Sequence, residues 1–85
     1  MLTLHHTIAD KIGLHARPAG MLTKQCSGFQ CKISLSTSGN TADPKKVITL
    51  LSLGAKYGDE LIFTFDGEDE QAAYDSISQF CKEYL

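Results

Sequence analysis

The sequence has 85 residues, 42% hydrophobic and 21% charged, with a formal net charge of −2, a composition typical of one small globular domain spanning residues 1–85. No apolar run approaches the roughly 18–20 residues that a membrane-spanning helix needs, and the first ten residues do not resemble a signal peptide. The three cysteines are an odd number and form no CxxC pair, which favours reduced thiols. We therefore expect a cytoplasmic protein that is not inserted in a membrane.

Charge is distributed unevenly along the chain. Residues 1–58 carry seven basic and two acidic residues, a formal charge of +5, whereas residues 59–85 carry one basic and eight acidic residues, a charge of −7. Such a split can steer association with an acidic partner, although solvated surface charge is the simpler explanation. A nucleic-acid interface is not expected, because no basic run with interleaved aromatic residues occurs.

The first half of the chain is predicted to form a strand, a helix and a hairpin. Hydrophobic residues alternate over residues 2–8, as in a half-buried strand. Helical spacing follows over about residues 16–27. Alternation returns over residues 30–36, and residues 38–40 are typical of a hairpin turn into a short strand that ends at Ala42.

The second half is predicted to add a short helix, a strand and a longer helix. Asp43 and Pro44 suit the N-cap and first position of a helix that ends at Leu53. Alternation around residues 61–65 indicates a fourth strand. The last helix is expected to bury one face, formed by Ala73, Ile77, Phe80 and Tyr84. The order β-α-β-β-α-β-α predicts an α+β fold with helices on one side of an antiparallel sheet.

The segment GLHARPA, between the first strand and the first helix, combines residue types suited to phosphate chemistry. Gly13 permits a sharp turn, and Pro18 fits near a helix start because its missing N–H removes no helical bond. His15 is therefore expected beside the free N–H groups of Ala16 and Arg17, where an anion would be favoured. Imidazole can act as a nucleophile and guanidinium binds phosphate. A phosphoryl acceptor and a simple helix-capping histidine are equally compatible with this spacing.

The same segment resembles the active-site motif of the HPr family, the histidine-containing phosphocarriers of the phosphoenolpyruvate-dependent sugar phosphotransferase system (PTS). The resemblance covers the whole chain, including its length, its element order, LSLG at residues 51–54 and GEDEQA at residues 67–72. It implies an open-faced β-sandwich, in which three helices cover one side of a four-stranded antiparallel sheet.

The resemblance also implies roles for individual residues. His15 would be phosphorylated on Nδ1 by enzyme I and would pass the phosphoryl group to a histidine of an EIIA domain. The Ala16 backbone and Arg17 would bind the phosphoryl oxygens. The protein would then be a carrier and not an enzyme that turns over alone, and we expect a monomer with no cofactor and no metal.

The second helix carries more apolar residues than one buried face needs. Val47, Leu50 and Leu53 form an inward stripe, which leaves Ile48 and Leu51 either widely buried or exposed. The resemblance favours an exposed apolar patch beside the active site that binds both partners within a basic rim. The expected partner-binding residues are Arg17, Gly20, Lys24, Lys46, Val47, Ile48, Leu51 and Gly54, with Lys45 also at the rim.

Some positions depart from the family pattern. Lys46 stands where many Gram-positive members have a regulatory serine, so control by HPr kinase is expected to be absent. Ile12 stands where the family often has a small polar residue, Ser or Asn, near the phosphoryl site, and isoleucine offers no hydrogen bond there. His6 points towards the core, where we expect its polar atoms to be satisfied or at an edge. Since His5 and His6 face opposite ways, we expect no metal site there.

Two other functions remain compatible with the sequence. One is a carrier in a nitrogen-related phosphotransferase chain, which has similar motifs and different partners. The other is a regulatory protein that only binds its partners, although the presence of both His15 and Arg17 argues against it.

Overall fold

Strands and helices follow one another in the predicted order β-α-β-β-α-β-α. The computed structural model describes residues 1–85. The elements are β1 (Leu2–Thr7), α1 (Ala16–Ser27), β2 (Lys32–Thr37), β3 (Asn40–Ala42), α2 (Val47–Ser52), β4 (Glu60–Asp66) and α3 (Glu70–Tyr84). The predicted α+β fold, a four-stranded open sheet with three helices, is confirmed. None of the helices combines the length and the apolar character needed to cross a membrane.

The sheet is antiparallel throughout, with the strand order β1-β4-β2-β3. Phe63 of β4 lies opposite Leu4 of β1 and Leu35 of β2, and all three side chains are buried. On the other face, Thr64 lies opposite Ser34, and their hydroxyl groups are hydrogen bonded. The apolar side chains therefore face the helices, and the polar side chains occupy the uncovered face.

The helices bury the residues that their spacing predicted, with two exceptions, of which one, Val47, is partly buried. Tyr84 was expected in the core and is 43% exposed. Its ring packs against Phe80, with the ring centroids 5.0 Å apart, at the surface end of α3. The buried helical residues expected to face the core are Ala19, Leu22, Cys26, Leu50, Ala73, Ile77 and Phe80.

The hairpin between β2 and β3 has the turn that its residues predicted. Ser38 and Gly39 have φ angles of 50° and 83°, both in the left-handed region. Two consecutive residues of this kind give the turn whose twist matches antiparallel strands.

The second helix begins three residues later than predicted. Asp43 caps the turn before the helix and not the helix itself: its carboxylate accepts a hydrogen bond from the Lys45 N–H at 3.0 Å, and its carbonyl accepts one from the Lys46 N–H at 2.9 Å. These bonds close a turn, after which Lys46 takes an extended conformation and becomes the N-cap. Asp43 and Pro44 therefore set the approach to α2 and do not belong to the helix.

His6 differs from the expectation of a satisfied core histidine. It is half-buried on the helix-covered face, opposite the buried Leu61, and its Nε2 atom is buried without a hydrogen-bond partner. Of the two situations expected, His6 therefore has the edge position, on the edge strand β1, and its aliphatic cross-strand neighbour offers Nε2 no polar group. His5 lies on the other face, exposed, with Nδ1 3.4 Å from a Glu60 carboxylate oxygen.

Candidate functional site

The loop between β1 and α1 is held in place by backbone contacts. The Gly13 N–H donates to the Asp10 carbonyl at 3.0 Å, and the Leu14 N–H donates to the Ala55 carbonyl at 3.1 Å. Gly13 has a φ angle of +81°, and a Cβ atom built on it would lie 2.7 Å from the Ala55 carbonyl oxygen. Only glycine fits this position without a shift of the backbone. The loop thus delivers the next residues to the start of α1 in a defined orientation.

His15 is the N-cap residue of α1, and its side chain does not cap the helix. Its backbone is extended, and its carbonyl accepts the first helical hydrogen bond, from the Ala19 N–H, at 3.0 Å. The side chain makes no capping hydrogen bond. The N–H groups of Ala16 and Arg17 also lack a partner within the chain. The half-buried imidazole therefore lies next to two free donors at the positive end of the helix.

Arg17 lies in the first turn of α1 with its side chain exposed. It forms no ion pair, and no acidic residue lies in this first helical turn. A free guanidinium two residues after His15 is suited to hold the oxygens of a phosphoryl group. The two residues that the sequence selected as active are therefore brought to one place, the start of α1.

A groove of about 570 Å³ runs beside the imidazole. Its lining was predicted only in part, since sequence reasoning did not assign Met21 or Tyr84 to the site. For Tyr84, helical spacing indicated the core, and no local signal places the end of α3 against the loop before α1. The residues that line this groove are Asp10, Ile12, His15, Arg17, Pro18, Met21 and Tyr84.

In the second helix, Ile48 and Leu51, the two apolar residues outside the inward-facing stripe, are exposed. Ile48 is 70% exposed and Leu51 is 41% exposed, whereas Leu50 is fully buried and Val47 is partly buried. Helix α2 packs against α1, the helix that begins beside His15. The sequence left open whether Ile48 and Leu51 are buried or exposed, and the structure shows that they form an exposed apolar patch. Two glycines assigned to this surface, Gly20 and Gly54, are also exposed.

The basic rim contains Lys24 and Lys46 but not Lys45. The Lys45 ammonium donates hydrogen bonds to the carbonyl groups of Phe29 and Cys31, at 2.8 and 2.9 Å. The Lys45 ammonium group therefore stabilises the loop between α1 and β2. The expectation that Lys45 belongs to the basic rim of the patch is wrong. Lys24 and Lys46 have exposed side chains.

The three cysteines are buried and form no disulfide. Burial raises the pKa of Cys26 and of Cys81 to about 12, and burial together with the hydrogen bond to Asp69 raises the pKa of Cys31 to about 11. These thiols are therefore protonated at neutral pH and act as small apolar side chains. The chain contains no cluster of three or more His, Cys, Asp or Glu side chains placed to hold a metal ion.

Fold and site together define a small α+β protein with a half-buried histidine at a helix start whose backbone N–H groups are free. The sequence model of the PTS HPr component phosphorylation site matches residues 3–83. The phosphocarrier protein HPr of Xylella fastidiosa is 35% identical over 79 residues, which cover 93% of this chain and 89% of that protein. The chain belongs to the HPr family, the phosphocarrier component of the PTS.

Solved structures agree with this assignment. The histidine-containing phosphocarrier protein of Mycoplasma superposes with a TM-score of 0.94 at 30% identity, over 96% of this chain and 93% of the other. The Bacillus subtilis catabolite repression protein Crh, crystallised as an intertwined, domain-swapped dimer, has a TM-score of 0.77 at 30% identity, over 89% of this chain and 87% of the other.

Proposed function

We propose that this chain carries a phosphoryl group on His15 from enzyme I to an EIIA domain of a sugar PTS. The observation that carries the proposal is the start of α1, where the imidazole makes no capping bond and lies beside free backbone donors. A histidine that served only as a helix cap would bond to one of these N–H groups. The unpaired guanidinium of Arg17 supplies the positive charge that a phosphohistidine needs.

The transfer step exchanges one P–N bond for another. The Nδ1 lone pair of His15 attacks the phosphorus of the phosphohistidine on enzyme I, and the bond from phosphorus to the donor nitrogen breaks. The donor imidazole leaves neutral, because its other nitrogen keeps its proton. His15 keeps its own Nε2 proton and becomes a phosphoimidazolium, so no net proton is moved. Arg17 and the free N–H groups stabilise the negative charge on the phosphoryl oxygens in the transition state.

Transfer to EIIA is the same exchange with His15 as the donor. Each reaction needs a second histidine that the partner supplies, so the chain acts as a carrier and not as an enzyme on its own. We propose that it works in the cytoplasm as a monomer and as one domain over residues 1–85.

The exposed patch on α2 is the proposed docking surface for both partners. Exposed apolar side chains within a polar rim suit complexes that form and separate quickly. Ile48 and Leu51 would supply the apolar centre, and exposed basic side chains would face acidic groups of the partner. The remaining contacts proposed for this surface are Arg17, Gly20, Lys24, Lys46, Val47 and Gly54.

We also propose that control by HPr kinase is absent. Lys46 has no hydroxyl group, and the hydroxyls nearest to it in sequence are engaged in hydrogen bonds. The Thr49 hydroxyl lies 2.6 Å from the Asp43 carbonyl oxygen, and the Ser52 hydroxyl donates to the Ile48 carbonyl at 2.9 Å. Efficient labelling of Thr49 or Ser52 by an HPr kinase would contradict this proposal.

The direct test is phosphorylation by purified enzyme I with phosphoenolpyruvate and Mg²⁺, followed by intact mass measurement at neutral pH. We expect one acid-labile phosphoryl group on the wild type and none on His15→Ala. Absence of labelling, or equal labelling of the variant, would contradict the carrier function. Parallel reactions use enzyme I of a sugar phosphotransferase system and enzyme I of a nitrogen-related phosphotransferase system. We expect the enzyme I of the sugar system to phosphorylate His15 faster.

A further inference from the structure

The groove beside His15 has an apolar wall built from two distant parts of the chain. Ile12 comes from the loop before α1, and Tyr84 comes from the end of α3. Met21, one turn after the start of α1, completes the lining. We call these three residues the apolar wall. His15 and Arg17 line the same groove, so whatever occupies it lies next to the phosphoryl site.

Backbone contacts hold the two sides of this groove together. The N–H groups of Ala9 and Asp10 both donate to the Leu85 carbonyl, and the Leu85 side chain is buried. The Asp10 carboxylate accepts the Ile12 N–H at 3.0 Å. The Tyr84 ring in turn rests on Phe80. These hydrogen bonds and the buried Leu85 side chain therefore fix the two backbone segments from which Ile12 and Tyr84 extend.

The side chains of the apolar wall are exposed to solvent, which favours a role in binding a partner protein. Ile12 is 71% exposed, and Tyr84 remains 43% exposed, so the free protein leaves much of this apolar surface in contact with solvent. Large exposed apolar side chains grouped around a charged site are typical of surfaces that a partner buries. A donor histidine must reach bonding distance of His15, so the donor protein necessarily covers residues that share its groove.

We propose, building on the proposed function, that the apolar wall receives an apolar side chain of enzyme I. The groove is large enough, because an apolar cavity of about 150 Å³ already accommodates benzene. The apolar lining lies beside His15 and Arg17, so it fits an apolar side chain next to the donor's phosphohistidine and leaves Arg17 free for the phosphoryl oxygens. Ile12 and Tyr84 then act in recognition of the donor and not in the transfer step.

The test is steady-state phosphorylation of variants by enzyme I, with the concentration of this chain varied. Tyr84→Ala and Ile12→Ala are each expected to raise the KM for this chain by about tenfold and to leave kcat within about twofold. Tyr84→Phe is expected to keep the wild-type KM, because the ring supplies the contact. Tyr57→Ala is the matched control, since Tyr57 is 62% exposed and does not line the groove. Its KM is expected to be unchanged.

Different outcomes separate this inference from the proposed function. If the wild type is phosphorylated and both alanine variants keep its KM, the apolar wall is not a docking surface. A fall in kcat at constant KM, or a shortened phosphohistidine lifetime, would also overturn the inference, because the wall would then act on the chemistry. If the wild type accepts no phosphoryl group, the proposed function itself fails. Ile12→Ala guards against misfolding, since it removes an exposed side chain.

Discussion

Gly13 lies against the backbone of Ala55 so closely that a Cβ atom at position 13 would be 2.7 Å from the Ala55 carbonyl oxygen. The segment between α2 and β4, residues 53–59, thereby supports the loop that carries His15. The adjacent hydrogen bond from Leu14 to the same carbonyl reinforces the contact. The position of His15 therefore depends on a contact between segments about forty residues apart in the sequence.

Replacement of Gly13 by alanine should destabilise the protein and disturb the site. The added methyl group meets backbone atoms, and the φ angle of +81° is unfavourable for alanine, so we expect a loss of about 1–3 kcal/mol. Urea denaturation of Gly13→Ala and of Gly20→Ala measures this. Gly20 is helical with no atom near its missing side chain, so its alanine variant should gain about 0.5–1 kcal/mol. Equal effects of both substitutions would refute the steric argument.

Arg17→Ala should slow phosphoryl transfer without affecting the fold. Loss of one preorganised donor at a developing charge typically costs about 100-fold in rate, and Arg17→Lys should retain part of the activity because it keeps the charge. Rapid-quench measurement of transfer from phosphorylated enzyme I gives the rate. The free energy of unfolding should change by less than about 0.5 kcal/mol, since Arg17 is exposed and unpaired. A transfer rate equal to that of the wild type would exclude Arg17 from the site.

Ile48→Ala should weaken docking and leave stability unchanged. Ile48 is mostly exposed, so its truncation removes contact with a partner and almost none with the core. We expect a KM for enzyme I raised about five- to tenfold. The neighbouring Leu50 is buried, and Leu50→Ala should cost about 2–5 kcal/mol in thermal or urea unfolding. An unchanged KM for Ile48→Ala would show that the α2 patch does not contact enzyme I.

The free energy of unfolding should decrease at acidic pH, in part because the Asp69 carboxylate becomes protonated. Hydrogen bonds from the Gln30 and Cys31 N–H groups, both 2.8 Å long, hold the pKa of Asp69 below its usual value of 3.8. The lowered folded-state pKa means that the carboxylate stabilises the fold above pH 3.8, and that this contribution is lost as the pH falls through the folded-state pKa.

Asp69→Asn tests this contribution. The variant should be less stable than the wild type at pH 7, and the difference should shrink as the pH approaches 2, as measured by urea denaturation across that range. Asp75→Asn is the control, because the Asp75 carboxylate accepts a hydrogen bond only from the exposed Gln71 side chain. A stability difference for Asp69→Asn that does not vary with pH would contradict the assignment.

Local patterns predicted much of this fold and site. Alternation identified the strands because each strand buries one face, and Gly13 and Pro18 placed His15 at a helix start. Two of the failures concern contacts between distant segments. Lys45 was assigned to the rim, yet its ammonium bonds to carbonyls of another loop. Tyr84 was assigned to the core, yet the end of α3 lies beside the loop before α1. Such contacts depend on how elements pack, which residue spacing does not encode.

We propose that His15, and no other histidine of this chain, carries the phosphoryl group on Nδ1. The most direct measurement is NMR of protein labelled with ¹⁵N-histidine, before and after reaction with enzyme I and phosphoenolpyruvate. We expect the His15 Nδ1 signal to change and to couple to phosphorus, while the ring signals of His5 and His6 stay in place. Phosphorylation of His5 or His6, or no change at His15, would contradict it.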